Sequence, residues 1–177
     1  MNAIELLRIQ LDFAHQVVEG TMADVTPEQA QWMPPGVATP LGASYAHVVT
    51  SEDLVVNGML KQAAPLFATT WEGRYGVSEP MPLPGPEWVN YAAWNRRVQV
   101  DVPAMREYAQ AVYASTNEYL SGLTPEDLDT PVDLSSLGFG QVNVGWVLSA
   151  LVIGHVNNIA GEISCLKGLQ GAKGYPF

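Results

Sequence analysis

Three histidines in apolar surroundings are the residues of this chain most suited to chemistry: His15, His47 and His155. A buried imidazole needs a hydrogen-bond partner or a metal ion, because an unpaired buried polar group is costly. A single such histidine is usually satisfied by a hydroxyl or carbonyl group. Helical bundles, however, build metal sites from inward-facing side chains on several helices. The three histidines are therefore candidate ligands of a divalent metal such as zinc or nickel.

The spacing of the possible ligands limits the kind of metal site that can form. A catalytic zinc site needs three protein ligands and an open position for water. One helix would normally supply two of them at i and i+4, but the residue four after His155 is Ile159, which cannot bind a metal. His15 and His47 each lie about seven residues from the turn between their helices, which would place them at similar heights. His155 would lie deeper, and the sequence leaves open whether the three imidazoles converge.

Four long segments with helical hydrophobic spacing are predicted to position these side chains. In the first segment, apolar residues recur at intervals of three and four while the charged residues lie elsewhere. Thr39-Pro40 is typical of the start of the second helix, and Asp101 of the start of the third. No segment alternates with the period of two that a strand requires. We therefore expect one all-α domain over residues 1–177, with long helices at 2–22, 39–64, 101–122 and 143–169.

A faint internal repeat indicates how these helices connect. Thr-Pro-Glu occurs at 26–28 and again at 124–126, each time after a long helix. The repeat favours two helical hairpins joined by residues 65–100, and a four-helix bundle with a long connection between helices 2 and 3 is the simplest packing. The alternative is that Thr-Pro-Glu is only a common helix-start signal.

The long connection contains a second group of candidate residues. Prolines at positions 80, 82, 84 and 86 keep its centre extended. The stretch from Glu87 to Arg97 is predicted to form a short helix that presents Trp88, Tyr91 and Trp94. These side chains either wall a ligand pocket, since such pockets are mostly apolar and aromatic, or pack the short helix over the open side of the bundle.

Composition and charge exclude several classes of function. The 177 residues include 18 Asp and Glu against 8 Lys and Arg, which gives a formal net charge of -10. This balance disfavours nucleic acid and anionic membranes as partners. The uncharged stretch from Gln141 to Gly161 is interrupted by polar residues, so it predicts a buried helix rather than a membrane span. A single cysteine, Cys165, and the lack of a signal-peptide pattern favour a cytoplasmic protein, in which Cys165 is a small buried side chain.

The last predicted helix resembles that of DinB-like proteins. The resemblance lies in the run Gly154-His155-Val156-Asn157-Asn158-Ile159-Ala160-Gly161-Glu162-Ile163 and in Leu166-Lys167-Gly168-Leu169-Gln170-Gly171. His47, which follows Gly42-Ala43-Ser44-Tyr45, is similar to the first metal ligand of that family. The Thr-Pro-Glu turns fit the same pattern, so the resemblance covers nearly the whole chain.

This resemblance implies an up-down-down-up four-helix bundle that is commonly dimeric. It also implies a divalent metal held by one histidine of helix 2 and a His-x-x-x-His pair of helix 4. Characterised members include thiol-dependent transferases and isomerases that use mycothiol or bacillithiol. His47 and His155 match two of the ligand positions, whereas Ile159 stands where the second histidine of the pair would be. Using His15 as the third ligand is our own hypothesis.

Two functions from different classes follow. The first is a metal-dependent small-molecule enzyme, thiol-dependent transferase-like, with an incomplete metal site. The second is a non-catalytic, metal-free bundle that binds a ligand or dimerises, in which Ile159 belongs to the core.

Glu162 returns to the face of His155, where it is a candidate general base or outer carboxylate, or an ion-pair partner of Lys167. Glu52 and Asp53 are expected to be solvated.

Overall fold

The computed structural model describes all of residues 1–177, and 64% of them are helical. Four long helices form where the sequence predicts them, together with two short helices. The helices are α1 (Ala3–Met22), α2 (Pro27–Gln31), α3 (Leu41–Asp53), α4 (Tyr91–Arg97), α5 (Val102–Ser121) and α6 (Val144–Leu169). Short 3-10 turns occur at Leu66–Ala68, Pro86–Asn90, Pro125–Asp129 and Ser135–Leu137.

Local sequence signals account for most of the helix ends. The Asn2 side chain accepts a hydrogen bond from the Glu5 backbone N–H at 2.9 Å, and the Glu5 carboxylate accepts one from the Asn2 N–H. The Asp101 carboxylate caps α5 by accepting from the Ala104 N–H at 3.1 Å, as predicted. Thr39 does not cap α3, however. That helix begins at Leu41 after Pro40, without a side-chain cap.

The two Thr-Pro-Glu motifs act as helix starts. Thr26 forms a reciprocal cap with Gln29, and Thr124 forms one with Asp127. Each motif starts a helical element of only five residues, α2 or a 3-10 turn, as a common helix-start signal would. The short helix predicted for Glu87 to Arg97 is confirmed as the 3-10 turn at Pro86–Asn90 followed by α4.

A two-stranded antiparallel hairpin precedes α6, so the prediction that no strand forms is wrong for this segment. Strand β1 (Pro131–Leu134) pairs with β2 (Gly140–Asn143) in a register that runs from Pro131 opposite Asn143 to Leu134 opposite Gly140. Four residues per strand are too few to give a clear alternation in the sequence. The tight turn requires positive φ at Gly138 and Gly140, 84° and 70°.

Helix α6 packs against α1 and α3, and α5 packs against the same two helices. The apolar side chains form one large core cluster and a second, smaller one near the hairpin. A π-helical segment at Leu54–Leu60 continues α3, and another at Val147–Gly154 lies within α6. The first of these ends the second long helix at Leu60 rather than Ala64. Such wide turns often occur at functional sites.

Helix α6 is long and apolar enough, by length and composition alone, to cross a membrane. In the fold, 44% of its most apolar window is buried against other parts of the protein. The core helix of a soluble protein passes the same test of length and composition, so this finding is weak evidence for a membrane span.

Candidate functional site

The packing of α6 against α3 brings His155 next to His47. The two ring centroids lie 4.9 Å apart and the ring planes meet at 75°. The Nδ1 atom of His47 lies 3.4 Å from the Ser51 hydroxyl, one helical turn further along α3. The same atom lies 3.4 Å from the Met81 sulfur, which the long connection contributes. Two imidazoles from separate helices therefore form a pair, which we call the histidine pair.

Aromatic side chains of the connection lie against His47, one member of the histidine pair. Tyr91 stacks on Trp88 with ring centroids 4.2 Å apart and an interplanar angle of 11°. The His47 ring lies 5.1 Å from Tyr91 and 6.4 Å from Trp88, centroid to centroid. Trp94 is instead part of the large core cluster, and its indole N–H donates to the Glu79 carbonyl at 3.1 Å. Of the three aromatic residues considered, Trp88 and Tyr91 thus lie at the pair.

An apolar cavity of about 290 Å³ opens beside His155. Both π-helical segments contribute side chains to its walls, and the turn of the hairpin contributes two more. The lining residues are Ser51, Leu54, Val55, Met59, Pro84, Leu137, Phe139, Ala150, Leu151, His155 and Asn158. This combination of an apolar cavity and a few polar groups is typical of small-molecule sites.

Burial favours the neutral form of both imidazoles. Desolvation lowers the pKa of His47 to about 3, and the neighbouring His155 contributes to that shift. Desolvation also lowers the pKa of His155, while the carboxylate of Glu52 opposes the change. A neutral imidazole presents one hydrogen-bond donor and one acceptor, so the pair presents polar groups of both kinds.

The structure does not bring His15 to the histidine pair. Its Nε2 lies 2.9 Å from a carboxylate oxygen of Glu52, and its ring stacks on Tyr113 with centroids 3.7 Å apart. The other oxygen of Glu52 accepts from the Thr116 hydroxyl at 2.7 Å. His15 is therefore satisfied within the core, which is the usual arrangement for a buried histidine.

The expectation that Glu52 and Asp53 are solvated is wrong, since the two are 1% and 0% exposed. Asp53 accepts hydrogen bonds from the Tyr108 hydroxyl at 2.6 Å, from the Asn57 amide at 2.7 Å and from two backbone N–H groups. Those N–H groups belong to Leu66 and Phe67, at the start of the connection whose aromatic side chains lie against His47. The sequence contained a signal of this burial, because two valines precede the acids, at 48 and 49, and two follow them, at 55 and 56.

A third carboxylate, that of the partly buried Glu19, joins α1 to two other helices. It accepts from the Tyr45 hydroxyl at 2.6 Å and from the Tyr113 hydroxyl at 2.9 Å. Arg106 approaches it to 3.2 Å from the more exposed side. Burial raises the pKa of Tyr113 well above its usual value, and the charge of Glu19 adds to that effect. These contacts tie α1 to α3 and α5, and sequence reasoning missed them.

The donor atoms near the histidine pair do not form a complete metal site. Ile159 is buried in the large core cluster one turn after His155, and it supplies no donor. No group of three His, Cys, Asp or Glu residues lies close enough together to hold a metal ion. The residues present therefore do not fit the three-ligand arrangement that the family resemblance implies.

Three residues in the C-terminal half of α6, Glu162, Cys165 and Lys167, also differ from expectation. Lys167 is buried and donates to the Thr21 carbonyl at 2.7 Å and to the Asp24 carboxylate, so it does not pair with Glu162. Glu162 is exposed, and its charge contributes to raising the pKa of Tyr91 to about 12, a shift caused mainly by burial. Cys165 is exposed rather than buried, because it lies on the outer face of the helix.

Comparison with known proteins identifies the family. A crystal structure of a conserved protein from Enterococcus faecalis superposes with a TM-score of 0.78 and 22% sequence identity, over 96% of this chain and 97% of that chain. This likeness shows the shared fold. No curated protein sequence matches the chain significantly. The family model of the DinB superfamily matches residues 10–158. The chain therefore belongs to the DinB superfamily.

Proposed function

We propose that this protein binds a small molecule at the histidine pair and does so without a metal cofactor. The observation that carries the proposal is the meeting of His47 and His155, with ring centroids 4.9 Å apart, beside an apolar cavity of about 290 Å³. Pockets of this kind bury most of a small ligand and orient it with a few polar groups. Here the Asn158 side chain and the Ser51 hydroxyl join His155 among the lining residues.

The aromatic side chains beside His47 support a ligand site as well. Trp88 is 40% exposed, although its ring is stacked on Tyr91 beside His47. Neither residue lines the cavity, so the two rings act on the ligand site through His47. We infer that they hold the His47 imidazole in place beside His155.

The set of donor atoms supports a metal-free site. Catalytic zinc sites use three protein ligands, and the pair supplies two. Ile159 occupies the next turn of α6 as part of the apolar core. His15, the other imidazole, is bound to Glu52. For this reason we place binding ahead of metal-dependent catalysis.

The second candidate is a divalent-metal-dependent enzyme that resembles the thiol-dependent transferases of the superfamily. Membership of that superfamily and the close approach of His47 to His155 favour it. Elemental analysis of protein purified without an affinity tag, before and after addition of zinc or nickel, separates the two candidates. Stoichiometric metal would favour the enzyme, whereas metal well below one equivalent favours the metal-free binder.

The proposal predicts that filling the cavity abolishes binding. We expect EDTA-treated protein to bind 2-naphthylmethanol, and Ala150→Trp to weaken that binding at least about tenfold, because the indole occupies the ligand volume. Isothermal titration calorimetry measures both affinities. Ser149→Trp is the matched control, since Ser149 is exposed on the same helix and does not line the cavity. Equal affinities of wild type and Ala150→Trp would contradict the proposal.

We also propose a homodimer and an up-down-down-up order of the helices, which the DinB resemblance implies, and a cytoplasmic location, which the single cysteine favours. An exposed apolar stripe on α1, with Ile9 59% and Phe13 55% exposed, supports dimerisation, because such patches often mark protein interfaces. We expect Phe13→Glu to convert a dimer into a monomer in sedimentation-velocity experiments. A monomeric wild-type protein at micromolar concentration would refute the dimer.

A further inference from the structure

The cavity beside the histidine pair has an unusual charge pattern for so acidic a protein. The chain has a formal net charge of -10, yet none of the eleven residues that line the cavity is Asp, Glu, Lys or Arg. The carboxylate of Glu52, which acts on His155 through space, is engaged by His15 and Thr116 inside the core. A charged ligand would therefore lose its hydration without gaining a counter-ion.

The polar groups of the cavity are concentrated at one end. Ser51 and His155 both adjoin His47, through the 3.4 Å contact with the Ser51 hydroxyl and the 4.9 Å separation of the rings. Asn158 lies three residues after His155, on the adjoining turn of the same helix. Because residues three apart are neighbours on a helix surface, these polar groups form one cluster.

The opposite end of the cavity is apolar. Leu54 and Met59 follow Ser51 along α3 and its π-helical continuation, and Leu151 and Ala150 precede His155 in the π-helical segment of α6. These side chains extend away from the histidine pair along both helices. Leu137 and Phe139 of the hairpin turn complete this end, and Phe139 is half exposed at the opening.

The size of the cavity limits the ligand further. A cavity of roughly 150 Å³ lined by apolar side chains is large enough to hold benzene. The volume of about 290 Å³ here is nearly twice that value. A ligand with the bulk of two fused six-membered rings, or an aliphatic group of equal volume, would therefore fill it.

We infer that the natural ligand is an uncharged, largely apolar small molecule of about this size. It carries one hydrogen-bonding group, which binds between Ser51 and His155, while its apolar part lies against Leu54 and Leu151. This inference rests on the proposed function and adds the chemical class of the ligand. Charged thiols, nucleotides and amino acids lie outside that class.

The test compares three probes that share one ring system and differ in charge: 2-naphthylmethanol, 2-naphthoate and 2-naphthylmethylammonium. Isothermal titration calorimetry on the EDTA-treated full chain gives the affinity of each probe. At a pH of about 7.5 the carboxylate and the ammonium probe are both charged. We expect the alcohol to bind at least about tenfold more tightly than either ion. Ser51→Ala should weaken binding of the alcohol several-fold, since the hydroxyl group of the probe loses a hydrogen-bond partner.

The outcomes separate this inference from the proposed function. If an ion binds as tightly as the alcohol, and Ala150→Trp abolishes its binding while Ser149→Trp does not, the site stands and the uncharged class is overturned. If Ala150→Trp leaves the binding of every probe unchanged, or if no probe binds, the proposed function and the inference both fail. Tighter binding of the alcohol that both Ala150→Trp and Ser51→Ala weaken supports the two together.

Discussion

Replacing Asp53 with Ala is expected to lower the free energy of unfolding by about 3–4 kcal/mol. The carboxylate accepts four hydrogen bonds, and the substitution leaves all four donors without their acceptor. Two of these donors are the backbone N–H groups of Leu66 and Phe67, each 3.0 Å from the carboxylate. The others are the Tyr108 hydroxyl and the Asn57 amide, which are buried with it.

Chemical denaturation with urea measures this loss, and two further variants define its cause. Asp53→Asn keeps one acceptor oxygen and should lose about half as much stability. Glu107→Ala removes an exposed carboxylate next to Tyr108 and should change stability by less than about 0.5 kcal/mol. A loss below about 1 kcal/mol for Asp53→Ala would show that the buried hydrogen bonds contribute little.

The same carboxylate connects stability to the site. Leu66 and Phe67 begin the connection that later supplies Met81, Trp88 and Tyr91 to the histidine pair. Loss of the Asp53 hydrogen bonds releases the first turn of that connection from α3. We therefore expect Asp53→Asn to remain folded and to bind 2-naphthylmethanol more weakly than wild type, although residue 53 does not line the cavity.

Replacing Ile159 with His is expected to convert the histidine pair into a metal site, with zinc affinity raised on the order of 100-fold or more. The new imidazole would lie one helical turn from His155, and residues at i and i+4 are neighbours on a helix. Together with His47 it would supply the three ligands that zinc requires in an open site. Titration calorimetry and elemental analysis measure affinity and stoichiometry.

A matched substitution distinguishes a new ligand from a histidine added anywhere in the core. Ile153→His places an imidazole at a buried position two residues before His155, on another face of α6. It should not raise the affinity for zinc. Wild-type protein that binds zinc as tightly as Ile159→His would mean that the pair already has a third donor, and it would favour the metal-dependent enzyme.

Helix positions could be predicted because they depend on local patterns. The apolar spacing of α1 and the Asp101 cap of α5 are complete within short stretches of sequence. The hairpin was missed because strands of four residues carry no clear period. The predicted end of the second long helix was also wrong, because Gln62 adopts a φ of 51°, a conformation that ends helices. Glutamine is not a residue type that indicates such a conformation.

The site could be predicted only in part. Local patterns placed His47 and His155 on separate helices, but their meeting depends on how α6 packs against α3. His15 has the same apolar neighbours in the sequence, yet Glu52 provides it with a partner across the core. The cavity beside His155 depends on two π-helical segments and on the hairpin, and hydrophobic spacing does not distinguish a π-helical turn from an α-helical one.

The most direct test of the central claim follows the imidazole signals of EDTA-treated protein by NMR while 2-naphthylmethanol is added. We predict that the ring signals of His47 and His155 shift and saturate together with the signal of the Ala150 methyl group, while those of His15 stay in place. Binding that leaves both rings of the pair unperturbed, or that appears only after zinc is supplied, would contradict a metal-free site at the histidine pair.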